Sequence, residues 1–342
     1  MISIVLPVFD EEENIGEVYQ ALTEQMVRIG EPYEIVFVDD GSRDNSLERI
    51  RELAAADEHV KGISLSRNFG HQIAISAGLE YASGDATIVM DADLQHPPEL
   101  IPEMVARWRE GNDVVYTIRE GRDHAGPLKR WSASLYYRLM NRMSDIEITA
   151  NTPDFRLMDR RVVEALRQMP ERTRFLRGLV RWVGFRQASL RFVAAPRTHG
   201  RTKFPLSKML RFSLDGVTAF STVPLRLASY VGLFSAVSSI PYALWAIYVR
   251  LFTNEAVHGW ASVVVAVLFL GGVQLISIGI MGEYLGRVYE EAKGRPLYLA
   301  RELIGEFGLS RARSHAWGEQ AQPVAVGIGQ WRSGSRAVDT RR

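Results

Sequence analysis

Residues 86–98 read ATIVMDADLQHPP. Thr87, Ile88, Val89 and Met90 form an apolar run of β-formers, the signature of a short buried strand. The run stops abruptly at Asp91, Ala92, Asp93, Leu94 and Gln95. Side chains alternate along extended backbone, so residues 91, 93 and 95 are expected on one face. Two carboxylates and an amide oxygen at the end of a strand suit Mg2+ or Mn2+, hard cations usually held by one or two carboxylates plus substrate phosphates. An isolated Asp-x-Asp is as readily a polar loop that caps a strand, with Pro97 and Pro98 opening the next helix. The surrounding sequence separates the two readings.

Outward from this stretch, strand and helix patterns alternate through the first 120 residues. Residues 2–8 are an apolar strand and 15–28 an amphipathic helix that stops near Gly30. Residues 34–38 predict a second strand, followed by Asp39, Asp40, Gly41 and Ser42. Asn45 and Glu48 are spaced as a capping box for a helix reaching about Ala55. A third strand is expected at 62–65, a helix at 72–82, a helix at 98–110 and a fifth strand at 113–117. This alternation predicts an α/β fold with a mostly parallel, doubly wound sheet. Ligands in such sheets sit beyond the carboxyl ends of the strands. Polar residues collect at those ends: Pro7, Asp10 and Glu11 after the first strand, Asp39 to Ser42 after the second and Arg67 and Asn68 after the third. Asp91, Asp93 and Gln95 follow the fourth, and Arg119 the fifth.

Composition narrows the class. The 342 residues are 46% hydrophobic and 24% charged, enough chain for a full core and something beyond it. A net charge of +1 gives no support for a nucleic-acid binder. The absence of cysteine excludes disulfides and thiolate metal sites. Neither G-x-G-x-x-G after the first strand nor G-x-x-x-x-G-K-[ST] occurs, which argues against dinucleotide oxidoreductases and P-loop ATPases. Residues 2–8 are too short for a secretory signal core and run directly into acidic residues.

LPVFDEEENI, VDDGSRDNS, SRNFGHQIAISAGL and DADLQHPPE together resemble glycosyltransferase family 2, in order and spacing, over roughly the first 100 residues. The resemblance implies a GT-A (Rossmann-like) domain and an inverting, metal-dependent enzyme that uses a nucleotide-sugar donor. It implies that Pro7, Asp10 or Glu11, and Asp39, with Asp40 and Asn68 nearby, hold the nucleoside. Asp91, Asp93 and Gln95 would hold Mg2+ or Mn2+ on the diphosphate, with Asp93 counted among the catalytic residues. A divalent ion there neutralises charge that develops on the leaving group.

Two segments near the C-terminus, 227–249 and 259–282, contain no charged residue. Each clears the roughly 20 residues that cross a bilayer. Pro241 is tolerated inside such a helix. Lys203, Lys208, Arg211 and Arg226 precede the pair and Arg287, Lys293, Arg295 and Arg301 follow it. The positive-inside rule then puts both flanks, and the N-terminal domain, in the cytoplasm of a multi-pass protein of the inner (plasma) membrane. The expected organisation is a GT-A domain at 1–204, an amphipathic interfacial helix at 205–223, two membrane helices within 224–284, and a C-terminal segment at 285–342 that is disordered from about 310.

A membrane-tied nucleotide-sugar enzyme implies a lipid acceptor. NTPDFRLMDRRVV, RFLRGLVRWVGF and THGRTKFPLSKMLRFSLDG look like the polyprenyl-phosphate subgroup, which contains dolichol-phosphate mannose synthase and the two-helix GtrB type. That likeness implies a polyprenyl phosphate acceptor (undecaprenyl or dolichyl), with UDP-glucose favoured as donor and GDP-mannose next. It places Arg119, Arg130 and Ser134 on the acceptor phosphate. Arg197, Arg201 and Lys203 are then poised to close over the diphosphate. Asp154 matches the family's essential carboxylate, and three roles are open to it: base, partner of a sugar hydroxyl, or support for a basic neighbour such as Arg156. His71 and His96 read as structural. A processive polysaccharide synthase is the first rival, but its Gln-x-x-Arg-Trp motif has Gly178 in place of Gln before Arg181 and Trp182. A non-catalytic membrane scaffold is the second. A homo-oligomer is compatible with the sequence, which fixes neither its size nor the lipid length.

Overall fold

The computed structural model describes residues 1–120, 152–172, 174–193, 223–252 and 259–307. Four strands make the centre of its sheet: β1 (Ile2–Val8), β2 (Tyr33–Asp39), β3 (Val60–Leu65) and β4 (Ala86–Val89). Every residue of β1 and β4 is buried, as expected where a parallel strand is covered on both faces. β1 pairs in parallel with β2 and β4, and β2 with β3. The linking helices are α1 (Ile15–Ile29), α2 (Ser46–Ala56) and α3 (His71–Tyr81). A 3₁₀ turn at Pro98–Leu100 runs into α4 (Ile101–Arg109), which leads to β5 (Val114–Arg119). The expected alternation therefore holds to residue 119.

Beyond residue 119 the chain departs from a simple doubly wound sheet. Among the described residues the order is β7-β5-β6-β4-β1-β2-β3-β8. β6 (Arg156–Asp159) inserts between β4 and β5 and runs antiparallel to both. β7 (Gln187–Phe192) extends one edge parallel to β5, and β8 (Ala300–Ile304) closes the other antiparallel to β3. Two short helices, α5 (Arg160–Arg167) and α6 (Leu176–Trp182), lie between β6 and β7.

Phe37, Phe155, Ile4, Leu6 and Leu22 are fully buried in the core between sheet and helices. The packing has no slack at Gly78 of α3, where a Cβ would collide with Val5 Cγ1. At the amino ends of the strands, buried Glu34 accepts hydrogen bonds from Ser3 Oγ (2.5 Å), Lys61 Nζ (2.7 Å) and the Ser83 backbone N–H (2.7 Å). Burial pushes this carboxyl up, but those donors outweigh it and hold it below the ordinary range.

Two local expectations are corrected. Asn45 makes no side-chain cap. Asp44 Oδ1 instead accepts from Ser46 N–H (3.0 Å) and Glu12 Oε2 from Asn45 N–H (2.8 Å), while Glu48 pairs with Arg51. The alternation expected through residues 91–95 also fails, because β4 ends at Val89 and Leu94 adopts φ 57°. Ala92 is buried and Leu94 packs against the core.

α7 (Val223–Phe252) and α8 (Trp260–Ala292) pack on each other. They cover the spans expected at 227–249 and 259–282. Their large apolar side chains face outward, Phe234 being 75% and Leu275 71% exposed. Among the described residues one stretch, Phe269–Ala292, is long and apolar enough to cross a membrane by length and composition. The interfacial helix expected at 205–223 falls outside the described residues except for Val223, as does the tail from 310.

Candidate active site

The site forms where the parallel strands end. β6 runs antiparallel to β4, so β6 begins at the edge where β4 finishes. Asp91, two residues after β4, and Asp154, two residues before β6, therefore lie at the same edge. The first residue of α3 lies between them: His71 Nε2 is 3.3 Å from Asp91 Oδ1 and 3.5 Å from Asp154 Oδ2. Burial alone would lower this imidazole, but Asp91 and Asp154 outweigh it and push it up to about 9. His71 keeps 41% of its side chain exposed to solvent. His96 is buried instead, stacked on Phe155 at 5.2 Å, with Nδ1 accepting from the Asp91 N–H (3.1 Å).

Asp154 is 5% exposed and surrounded by donors. Arg177 grips it with both arms, Nε to Oδ1 at 3.0 Å and Nη2 to Oδ2 at 3.2 Å. Gln72 Nε2 donates to Oδ2 (2.9 Å) and Arg156 Nη2 to Oδ1 (3.3 Å). Burial would raise this carboxyl; Arg177, His71 and Arg156 reverse that and hold it well below the usual range. An apolar hollow lined by Ile75, Leu79, Leu166, Leu176 and Val180 backs the pair Asp154–Arg156. The same desolvation lowers the Arg156 guanidinium to about 10, still charged at neutral pH.

At the β1–β2 end, Asp39 Oδ1 accepts from Ser42 N–H (2.9 Å) and Oδ2 from Ser64 Oγ (3.1 Å). Asp40 is committed to shaping the neighbouring loop, taking the N–H groups of Phe69 (2.7 Å) and Gly70 (2.9 Å). Its burial raises it above the ordinary carboxylate range. Asp10, at φ 53°, accepts from Arg43 N–H (2.8 Å), and Glu11 Oε2 accepts from Asn14 Nδ2 (2.6 Å). Pro7 is buried in β1 and Asn68 is exposed. Gly41 lets the β2 and β3 loops touch: it has φ 72°, and a Cβ there would lie 2.7 Å from the Arg67 carbonyl carbon.

A divalent cation fits the acidic bend. Asp91 Oδ1 is buried and accepts no hydrogen bond, the cation beside it being His71 Nε2 at 3.3 Å. Asp93 Oδ1 accepts from Gln95 N–H (3.2 Å), which ties the other two expected ligands together. Among the described residues no three His, Asp or Glu side chains form a complete cage. Mg2+ and Mn2+ sites that recruit substrate phosphates do not need one.

The structure therefore brings Asp91 and Asp154 together and sets Asp39, Asp93 and Gln95 along the same strand-end edge. Arg119 lies exposed at the end of β5, on that edge too. Arg130, Ser134, Arg197, Arg201 and Lys203 lie outside the described residues. Sequence reasoning missed Gln72 and Arg177, although both sit inside the motifs that carry the family resemblance. Their partners are 82 and 23 residues away, a relation no local pattern shows.

Comparison with known proteins agrees with this geometry. Residues 3–167 match the profile described as Glycosyl transferase family 2, and residues 223–288 that described as GtrB C-terminal hairpin. The chain is 48% identical over 303 residues to the uncharacterized glycosyltransferase YkcC of Bacillus subtilis (strain 168), covering 89% of this chain and 94% of that one. It is 44% identical over 301 residues to the SfII prophage-derived bactoprenol glucosyl transferase of Shigella flexneri (88% and 97% covered). Against the prophage bactoprenol glucosyl transferase homolog of Escherichia coli (strain K12) identity is 43% over 302 residues (88% and 99% covered). Identities of 43–48% over nearly the whole length of these relatives, with the profile match at residues 3–167, show that the chain is a glycosyltransferase belonging to family 2.

Proposed function

We propose that the protein transfers glucose, with inversion, from UDP-glucose to a polyprenyl phosphate at the cytoplasmic face of the plasma membrane. The observation that carries this reading is the meeting of Asp91 and Asp154 across His71 in a sheet to which the chain returns, as β8, after an apolar helix. The reacting cleft and the lipid-facing helix are thus parts of one unit. The names of the bactoprenol relatives support glucose and a lipid acceptor.

In the proposed step an oxygen of the lipid phosphate attacks the anomeric carbon. The bond from that carbon to the nucleoside diphosphate breaks, and the electron pair leaves with the diphosphate. Asp91, Asp93 and Gln95 would hold a divalent cation, which would supply charge neutralisation for this leaving group. Asp39, with Asp10 or Glu11, Pro7, Asp40 and Asn68, lines the nucleoside side. Arg119, Arg130 and Ser134 serve the acceptor phosphate, and Arg197, Arg201 and Lys203 cover the diphosphate.

Asp154 is not needed as a base. A phosphate monoester, with a second pKa of about 6, is already anionic near neutral pH. A carboxylate saturated with donors and held low is also a poor proton acceptor. Its task is to orient the groups bound to it.

Both ends of the helix pair lead to the same sheet, since residues before α7 build β1–β7 and residues after α8 build β8. If α8 alone crossed the bilayer, β8 would emerge on the wrong side. Two crossings satisfy the pairing, so we assign the hairpin as multi-pass.

The test is a donor-by-donor assay with purified protein, undecaprenyl phosphate and labelled UDP-glucose, GDP-mannose or other UDP-sugars. Label from UDP-glucose in an acid-labile, chloroform-soluble product is expected. Label in water-insoluble polymer would establish a polysaccharide synthase instead, and no transfer from any donor would leave a scaffold.

A further inference from the structure

Gln72 is the second residue of α3, and both ends of its amide are engaged at the cleft. Nε2 donates to Asp154 Oδ2 (2.9 Å), and Oε1 accepts the Leu176 N–H (3.1 Å). An ionised carboxylate can only accept and a backbone N–H can only donate, so these partners fix which way round the amide sits. The backbone beneath it is held as well. Asp40 takes the N–H groups of Phe69 and Gly70 just before α3, and Ser76 Oγ donates to the Gln72 C=O (2.8 Å).

The second bond meets a need that the local sequence leaves open. Leu176 is the first residue of α6, and the preceding Phe175 has no side-chain acceptor to cap that helix. Gln72 supplies the acceptor from another helix, 104 residues away in sequence. The helix so capped carries Arg177, the main counter-ion of Asp154, which donates to both carboxylate oxygens.

Charge does not account for Gln72. Arg177, His71 and Arg156 keep Asp154 ionised, and a neutral amide adds no counter-charge. What it adds is direction. The Arg177 fork fixes the carboxylate relative to the guanidinium. Gln72 fixes that pair relative to α3, whose first residue, His71, reaches from Asp154 to Asp91.

We propose that Gln72 is a positioning residue for the transfer, holding Asp154 and the start of α6 at a fixed place against the Asp91 side of the cleft. The kinetic consequence rests on the transferase reading above; the structural consequence is measured without turnover.

The experiment compares full-length wild type, Gln72→Leu and Gln72→Asn in detergent. The leucine keeps the bulk and loses both bonds, while the asparagine keeps the amide but is one methylene too short to reach both partners. Calorimetry with UDP and Mg2+ counts the competent donor sites and gives their dissociation constant. Turnover of labelled UDP-glucose with undecaprenyl phosphate is then expressed per competent site. Misplacement of this kind predicts a kcat lowered about tenfold to a hundredfold in Gln72→Leu and less in Gln72→Asn. UDP affinity and the KM for UDP-glucose should stay near the wild-type values, because the nucleoside side is built from β1 and β2. A merely structural role would reduce the number of competent sites and leave turnover per site unchanged, and that result overturns the proposal. So does a loss of UDP affinity that matches the loss of turnover, which would mean a disturbed donor site.

Hydrogen exchange in the same samples should quicken about fivefold at the Leu176 amide of Gln72→Leu. Unchanged exchange would show that α6 is not tied to α3 in solution, and also overturns the proposal. Should Gln72→Leu fail to fold, Gln72→Asn carries both readouts. A wild type that binds UDP but glycosylates no lipid would fail the transferase reading, and the exchange result alone would then decide whether Gln72 holds α6.

Discussion

Asp154 shows what a sequence exposes at the scale of one residue and what it conceals. The family resemblance singled it out through the motif NTPDF and left its role open; its surroundings could not be read locally, because Gln72, Arg156 and Arg177 converge on it from three elements. His71 shows the converse. It read as structural, yet the fold puts it in the cleft between two carboxylates, because a residue that starts a helix after a strand points to the edge where ligands sit. Replacing Asp154 by Asn removes the negative charge and leaves two guanidiniums facing each other, one of them buried. Breaking a buried ion pair from one side costs about 3–5 kcal/mol. Asp154→Asn is therefore expected to lower the apparent unfolding temperature and abolish transfer, while UDP binding survives because the nucleoside side is built from β1 and β2. Near-normal turnover in this variant would show that the carboxylate is dispensable.

Elements with strong local patterns were legible, and those defined by their neighbours were not. β1 to β4 announce themselves as apolar runs buried on both faces. β6 reads RLMD, four residues with a charge at each end, and becomes a strand only because β4 and β5 flank it. β8, ARELI, is separated from its partner β3 by the whole hairpin. The bend at 91–95 escaped the alternation argument because β4 stops at Val89 and Leu94 turns into the left-handed region, neither of which the residue types announce. Glu34 offers a test of how the strands are held at their other end, since it ties β2 to Ser3 of β1 and Lys61 of β3. Its carboxyl lies below the ordinary range in the fold, so its stabilisation is present above the unfolded value, about 4.3 for Glu. It is lost as pH falls through the folded value. Glu34→Gln should cost about 1–3 kcal/mol at neutral pH. The gap between the two proteins should narrow on acidification below about pH 4, read as apparent unfolding temperature in matched detergent. A gap that is constant down to about pH 3 would mean that the charge on Glu34 contributes nothing.

At the scale of the whole molecule, β8 is the element that joins membrane to chemistry. It pairs with β3 from Gly62↔Ile304 to Ser64↔Glu302, reinforced by Ser66 N–H donating to Leu299 C=O (2.9 Å) and by Arg51 Nη2 to Glu302 (2.6 Å). The loop before α6 is tied to the end of α8 as well, through the Arg172 N–H on Glu291 Oε1 (2.7 Å). On the proposed membrane reading, a chain that re-enters the sheet it left crosses the bilayer an even number of times. Outward-facing residues such as Phe234 on α7 and Leu275 on α8 place an apolar surface on both helices, and the two proposed crossings would put that surface in lipid. The absence of cysteine makes this directly measurable, because any introduced thiol is unique. Glu255→Cys lies in the nine-residue charged connection between the two uncharged segments, and Lys293→Cys follows α8. A membrane-impermeant maleimide added to intact cells should label the first and not the second. After permeabilisation both should react. Equal protection of both positions in intact cells would mean that α7 and α8 lie along one face of the membrane. Labelling of Lys293→Cys from outside would put β8, and the sheet it completes, on the side away from cytoplasmic nucleotide sugars.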